Sequence, residues 1–456
     1  MIRALFFSHS SRLGGAERSL LELVKHLVSD YQTRCTVILQ PDGLSIKHLE
    51  DVGAEIITAP IYWWCAGTDQ HDVESIRHDM SYSLEWLLEN LDQIKSLQPD
   101  VILTNTITIP WGAICAQLIQ RPHIWMINEF GVLDHGLRFI YPFDQILSII
   151  QSAADRIVTR SHAVQNTLFP NLPQDKVETV YPSIEPPDSK IKTNYLHSTY
   201  YHQPASFRLL MTSTLMAAKG QEDAVLSVIE LVKNRNRKVE LVLAGYAQPD
   251  YQTYLQELIR NGGIEDLVHI IPFQENVFSV VQEADAVLVC SKMEAFGRVT
   301  VESMLMEKAV IATHTGGSVE IIQDGVTGLL YTPGNHQELA DKIESLIMNP
   351  TLRKEISRNG YDFARSTFVP ENFAGKYQTI FQQLTQQPFQ PKQDTLWFLT
   401  AQFQNLIDQK NVHIQTLDDQ ISDLKGEILT YTQSKSWRLT RPFRKIAHLF
   451  NKKEHD

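Results

Sequence analysis

The text SKMEAFGRVTVESM sets two carboxylates, Glu294 and Glu302, eight residues apart with Gly297 between them. Apolar runs on either side, AVLVC and AVIAT, read as strands, so Glu294 falls in a loop and Glu302 in the second turn of the next helix. At that spacing the two do not share a helical face, and together they can border one cleft from different sides. Between them the amides of Phe296, Gly297 and Arg298 open the helix and point outward, ready for a phosphate oxygen. Arg298 either adds charge to that anion or stands in solvent on the helix surface. A second loop, SRLGGAERS after LFFSHS, places Gly14 and Gly15 just before a helix, as a turn or as a phosphate cradle. It is not G-x-G-x-x-G, which gives a dinucleotide reading little support.

These loops must be held by something, and the alternation of the chain says what. From residue 1, short apolar runs (IRALFF, CTVILQ, DVILTN, HIWMI, RIVTR) alternate with amphipathic stretches such as AERSLLELVKHLV, which predicts a parallel sheet covered by helices over 1–190. A polar, proline-bounded linker follows, and the alternation restarts over 206–370 as a second Rossmann-like domain. The helical stretch 371–388 fits either domain, crossing back onto the first in one of the two cases. A chain of 456 residues has room for about three such units. Its net charge of -12 excludes a surface built to follow nucleic acid, and four dispersed cysteines predict reduced core thiols and a cytoplasmic setting. The sequence predicts no signal peptide and no transmembrane span. Metal chemistry lacks its usual signs: there is no Asp-x-Asp, no His-Glu-x-x-His and no Cys/His cluster.

SKMEAFGRVTVESM followed by AVIATHTGGSVEIIQDGVTGLLYTPGN closely resembles the Glu-x7-Glu signature of retaining nucleotide-sugar glycosyltransferases of glycosyltransferase family 4. TSTLMAAKGQEDAV, LVLAGYA and LGGAERSLLEL extend the resemblance over about residues 1–385. It implies the α/β GT-B fold, two facing Rossmann-like domains with parallel sheets, the first binding acceptor and the second the sugar nucleotide. It also implies a hexosyltransferase that uses a UDP- or GDP-sugar, with no cofactor and no metal. By the same resemblance Glu302 meets the ribose hydroxyls, Glu294 the transferred sugar, and Lys219 the leaving diphosphate, with Phe296 and Gly297 adding amides. Gly14 and Gly15 close over the phosphates from the first domain. One departure stands out: Thr214 occupies a position where the family often has arginine, and Arg298 is the residue that could compensate. In NEFGVLDHG, where many relatives carry a histidine facing the sugar, this chain has Asn128 and Glu129. Glu129 is either a general base for the acceptor hydroxyl or an ordinary loop carboxylate. His123 and His135 read as packing or surface residues, and Thr104 to Thr106 as a polar edge on the acceptor side.

Beyond PFQPKQD, Ile407, Ile414, Ile421 and Ile428 recur every seven residues with Leu417, Leu424 and Tyr431 between them. This predicts a coiled-coil helix over 396–433, either a parallel homodimer seam or a lone amphipathic helix on the body. The tail 434–456 carries seven basic side chains, among them Arg438, Arg441, Arg444 and Lys445, interleaved with Trp437 and other apolar residues. That composition suits an anionic membrane surface. SKSWRLTRPFRKI also resembles the Ser-x-Ser-Trp-Arg ending of bacterial polysaccharide and lipopolysaccharide glycosyltransferases. Together they imply a peripheral enzyme at the inner face of the plasma membrane, acting on a glycan or lipid-linked acceptor in cell-surface polysaccharide biosynthesis. Two other readings remain open: a glycogen-synthase-like or phosphorylase-like enzyme on a soluble acceptor, and a catalytically silent scaffold that binds sugar nucleotide.

Overall fold

Strands such as Val101–Asn105 and His123–Ile127 are buried along their whole length, and such runs suit a parallel sheet covered on both faces. The computed structural model describes residues 1–67, 73–185, 200, 201, 203 and 205–433. Its first sheet has seven strands in the order Glu55–Thr58, Arg34–Leu39, Arg3–Ser8, Val101–Asn105, His123–Ile127, Arg156–Thr159, Val177–Thr179. All neighbours in it are parallel. The second has six, in the order Val268–Ile271, Val239–Ala244, Phe207–Thr212, Ala286–Val289, Ala309–Thr313, Leu329–Tyr331, again all parallel. This is the GT-B arrangement of two Rossmann-like domains.

In each sheet the winding reverses beside the domain's first strand: between Arg3–Ser8 and Val101–Asn105, and between Phe207–Thr212 and Ala286–Val289. Loops leaving the carboxyl ends of strands flanking a reversal diverge and open a crevice. Those loops are the ones that carry Gly14 and Gly15 in the first domain, Lys219 and Glu294 in the second.

Helix Gly15–Ser29 buries Leu20, Leu23, Val24 and Leu27, a three-and-four spacing that seats it on the first sheet. Helix Pro370–Thr385 resolves the assignment that the sequence left open. Its Phe373, Tyr377, Phe381 and Leu384 enter the first domain's core with Leu20, Leu23 and Leu27, so the chain crosses back. Residues 1–398 form one compact unit and 399–456 another. Within the second, helix Gln393–Gln433 continues to its end, and Ile407, Ile414, Leu417, Ile421 and Leu424 on it are exposed. Trp437, Arg438, Arg441, Arg444 and Lys445 lie outside the described residues.

Candidate active site

The second domain's contribution begins with a one-turn helix, Ala217–Lys219, that ends at Gly220 with φ +71. A side chain at Gly220 would sit 2.1 Å from the Cys290 carbonyl, so only glycine lets this loop lie on the loop after Ala286–Val289. Lys292 N–H donates to the Ala218 carbonyl at 2.9 Å and ties the two loops together. The consequence is that Lys219 Nζ stands 3.2 Å from Glu294 Oε2, an oxygen that also accepts from Ser291 Oγ at 2.7 Å. Burial pushes the Glu294 carboxyl up, but the Lys219 ammonium and the Ser291 hydroxyl outweigh it and hold the group below its ordinary range. From the other side, Gly317 N–H donates to the Glu294 carbonyl at 2.6 Å, and a Cβ on Gly316 would reach within 2.2 Å of that same carbonyl. The Thr-Gly-Gly text, given no role in the sequence reading, is the floor under Glu294.

Helix Arg298–Leu305 starts after Gly297, which has φ +97, and no side chain caps it. Helix Gly15–Ser29 likewise starts without a side-chain cap, after Gly14. The first amides of both therefore remain available to an anion. The Phe296 ring is core, packed 5.9 Å from Tyr181 and 5.4 Å from Phe368, so only its backbone can serve the cleft. Arg298 is not a solvent residue. Its side chain is 12% exposed, pairs with Glu302 at 3.3 Å, and donates across the domains to Ser19 Oγ at 3.2 Å.

Two cavities meet along this line. One, of about 190 Å³, takes in Gly14, Arg18, Tyr246, Phe273 and Glu302; the Tyr246 and Phe273 rings are stacked at 4.5 Å. The other, of about 320 Å³, takes in Lys219, Glu294, Asn128, Glu129, His135 and Arg160. Gly15, Thr214 and Arg298 border both, so the expected phosphate residues sit between a pocket with an aromatic wall and one with a carboxylate and a lysine. A wider groove of about 1160 Å³ continues past His135, with Tyr62, Trp63, Tyr251 and Tyr254 along it.

Glu129 borders the 320 Å³ cavity, and its Oε1 accepts from Ile107 N–H at 2.5 Å. Burial, reinforced by Asp134 and Glu17 and opposed by the Ile107 N–H and Arg160, pushes its carboxyl up to about 8. His135 is exposed, its side chain 39% accessible, as the surface expectation had it. It also lines the rim of the same cavity, where partial loss of solvent and the Lys219 charge lower its pKa against the pull of Asp134 and Glu294. His123 is a core residue, its Nε2 2.8 Å from Thr104 Oγ1 and its pKa driven to about 3 by burial and two lysines. Thr104 and Thr106 are buried and border none of these cavities; Asn105 between them accepts from Asn128 Nδ2 at 2.7 Å and so braces the cavity wall from behind. Arg160, Tyr246 and Phe273 were given no role from the sequence, yet each follows closely on a strand's carboxyl end, where ligand-facing residues belong.

Among the described residues, Glu22, His26 and Glu185 come close enough to share a cation, but they border neither of the two joined cavities. Lys25 already neutralises Glu185 at 2.5 Å, and His26 is bonded to Asp30 and Glu185.

The family model described as Glycosyltransferase Family 4 matches residues 13–186, and the one described as Glycosyl transferases group 1 matches 202–363. The chain is 29% identical over 230 residues to N-acetyl-alpha-D-glucosaminyl L-malate synthase of Bacillus anthracis, covering 50% of this chain and 59% of that protein. It is 42% identical over 257 residues to an uncharacterised glycosyltransferase of Methanocaldococcus jannaschii, covering 56% of this chain and 66% of that one. The matches thus span between 45% and 66% of the first three curated relatives. Among solved structures, HepE of Anabaena, in complex with UDP and glucose, superimposes with a TM-score of 0.69 at 23% identity, over 84% of this chain and all of that one. The likeness to HepE is one of fold.

Proposed function

A chain whose two domains match these two models carries the framework of a GT-B glycosyltransferase, and from it we propose that this protein transfers a sugar, with retention, from a UDP- or GDP-sugar to a glycan or lipid-linked acceptor. The observation that carries the reading is the Lys219–Glu294 pair, partly buried and lining one cavity with the uncapped helix start at Gly297. Breaking the bond between the anomeric carbon and a diphosphate builds positive charge on the sugar and negative charge on the leaving group. Lys219 and the Gly297-side amides meet the second, in a site where fixed donors need no reorganisation. Glu302 suits a ribose diol, because a carboxylate accepts two hydrogen bonds. The stacked Tyr246 and Phe273 suit the flat face of a base. That HepE was captured with UDP and glucose supports a nucleotide-sugar donor. The test is nucleotide release from a panel of UDP- and GDP-sugars with and without chelator. Release from one donor, indifferent to chelator, supports the reading, and no turnover of any donor, even with membrane extract as acceptor, turns it to the silent scaffold.

On the acceptor side, the aromatic groove past His135 suits sugar rings, and Glu129 is the group placed to take a hydroxyl proton. With a carboxyl near 8, Glu129 is mostly protonated at neutral pH and becomes a base as pH rises. The acceptor-dependent rate should therefore climb between pH 7 and 9, and Glu129→Gln should flatten and lower it. A flat profile in the wild type, or full activity in Glu129→Gln, leaves Glu129 only its bond to Ile107.

The same proposal places the enzyme at the inner face of the plasma membrane, in cell-surface polysaccharide assembly, with the basic tail on anionic lipid and the exposed isoleucine–leucine stripe facing a second copy. Deleting 434–456 should abolish co-sedimentation with vesicles containing anionic lipid while leaving nucleotide release intact. Unchanged co-sedimentation would sink the anchor.

A further inference from the structure

Arg160 follows strand Arg156–Thr159 and is 3% exposed on the wall of the cavity that holds Lys219 and Glu294. Its Nε donates to Asn128 Oδ1, and its guanidinium lies 5.3 Å over the Phe373 ring, so its plane is fixed by two neutral groups. Asn128 is itself held by Asn105 at 2.7 Å, behind the cavity wall. Both terminal nitrogens, Nη1 and Nη2, are buried without a hydrogen-bond partner among the described residues. The nearby carboxyl, Glu129, is mostly protonated at pH 7 and offers little countercharge.

A buried guanidinium with two free donors and no paired carboxylate is costly to keep in a folded protein. Burial itself pushes Arg160 down to about 10, and Arg298 across the cavity pushes the same way. Arg298 approaches from the other domain with its own Nε buried and unpartnered. Arg298 is already paired with Glu302, so the uncompensated charge is that of Arg160, and an oxyanion between the two residues takes up the free Arg160 Nη1 and Nη2 together with the spare Arg298 Nε. Planar guanidinium forks match phosphate geometry.

We infer that Arg160 is a phosphate-binding residue, which with Arg298 grips one phosphate group across the domain cleft. The inference rests on the proposed sugar-nucleotide reading for where that phosphate comes from, the donor's diphosphate or a phosphate on the acceptor. It does not rest on that reading for the site itself. A phosphate bound there bridges the two domains, so donor or acceptor binding is also a closing force on the cleft.

Calorimetric titration of the full chain with inorganic pyrophosphate, with UDP, and with pyrophosphate after saturation by UDP tests this. Arg160→Gln should weaken pyrophosphate at least tenfold, and Arg160→Lys, which keeps the charge and loses the fork, should weaken it less. Loss of UDP affinity in Arg160→Gln assigns the residue to the donor diphosphate. Unchanged UDP affinity, with pyrophosphate binding to the UDP-saturated protein abolished, assigns it to an acceptor phosphate. Pyrophosphate that fails to bind the wild type, or binds wild type and both variants alike, overturns the inference. If thermal melting shows that Arg160→Gln does not fold, Arg160→Lys carries the comparison. Arg160-dependent pyrophosphate binding in a protein that turns over no nucleotide sugar would sink the transferase reading and leave the site standing, and normal turnover with no Arg160 effect would do the reverse.

Discussion

Replacing Lys219 with alanine should lower nucleotide release from the productive donor by about 10²–10³-fold, with most of the loss in kcat. Lys219 Nζ is fixed by Glu294 at 3.2 Å and sits at the end of a turn locked onto the neighbouring loop, so its charge is in place before the reaction begins. A charge that the leaving diphosphate needs more in the transition state than in the ground state lowers the barrier when present, and its loss appears in kcat rather than in donor KM. The substitution does a second thing. Glu294 is held low chiefly against its own burial by the Lys219 ammonium, and without it the carboxyl rises. The sign follows: a depressed carboxyl contributes stability above its unfolded pKa and loses it on acidification, so Lys219→Ala should also narrow the difference in stability between pH 7 and pH 4. Because the two side chains act as one unit, Lys219→Ala combined with Glu294→Ala should lose little beyond the worse single variant. Turnover within threefold of wild type in Lys219→Ala would remove the leaving-group role.

The strands, their parallel pairing and the two-domain division were legible because fully apolar runs and three-and-four spacing are local signals. Glu294 and Glu302 were legible for the same reason, since both lie in one strand–loop–helix passage. The sequence could not show what the first domain brings to that passage. Arg298 read equally well as an exposed helix residue, because its burial comes from Ser19 in the other domain. His135 read as a surface or packing histidine and is exposed, but nothing in NEFGVLDHG reveals that it also lines the cavity of Lys219 and Glu294. Arg160 stands one residue past a strand end, where a stricter use of the strand-end rule finds it, but its spare donors are visible only once Asn128 and Phe373 are in place. Helix Pro370–Thr385 was ambiguous in the same way: its apolar face is plain in the text, and its partner is not.

Gly220→Ala should cost about 3 kcal/mol of folding stability, whereas Gly325→Ala, at nearly the same backbone angle, should cost only about 1–2 kcal/mol. The two glycines have φ +71 and +74, so an alanine at either meets the same left-handed strain. They differ in surroundings. A Cβ on Gly325 has nothing within 4 Å, but one on Gly220 lies 2.1 Å from the Cys290 carbonyl oxygen and 2.9 Å from its carbon. That neighbour is backbone at the end of a central strand, Ala286–Val289, paired on both sides, so it cannot turn away as a long side chain can. Relief requires the Ala217–Lys219 turn to lift from the loop that carries Glu294. The variant should therefore lose turnover at temperatures where it is still folded, because lifting the turn withdraws Lys219 from Glu294. Urea denaturation of both variants, with nucleotide release measured below their transitions, separates crowding from torsional strain. Equal destabilisation of the two would show that the loops are not in contact at Gly220, and the fixed placement of Lys219 would lose its structural basis.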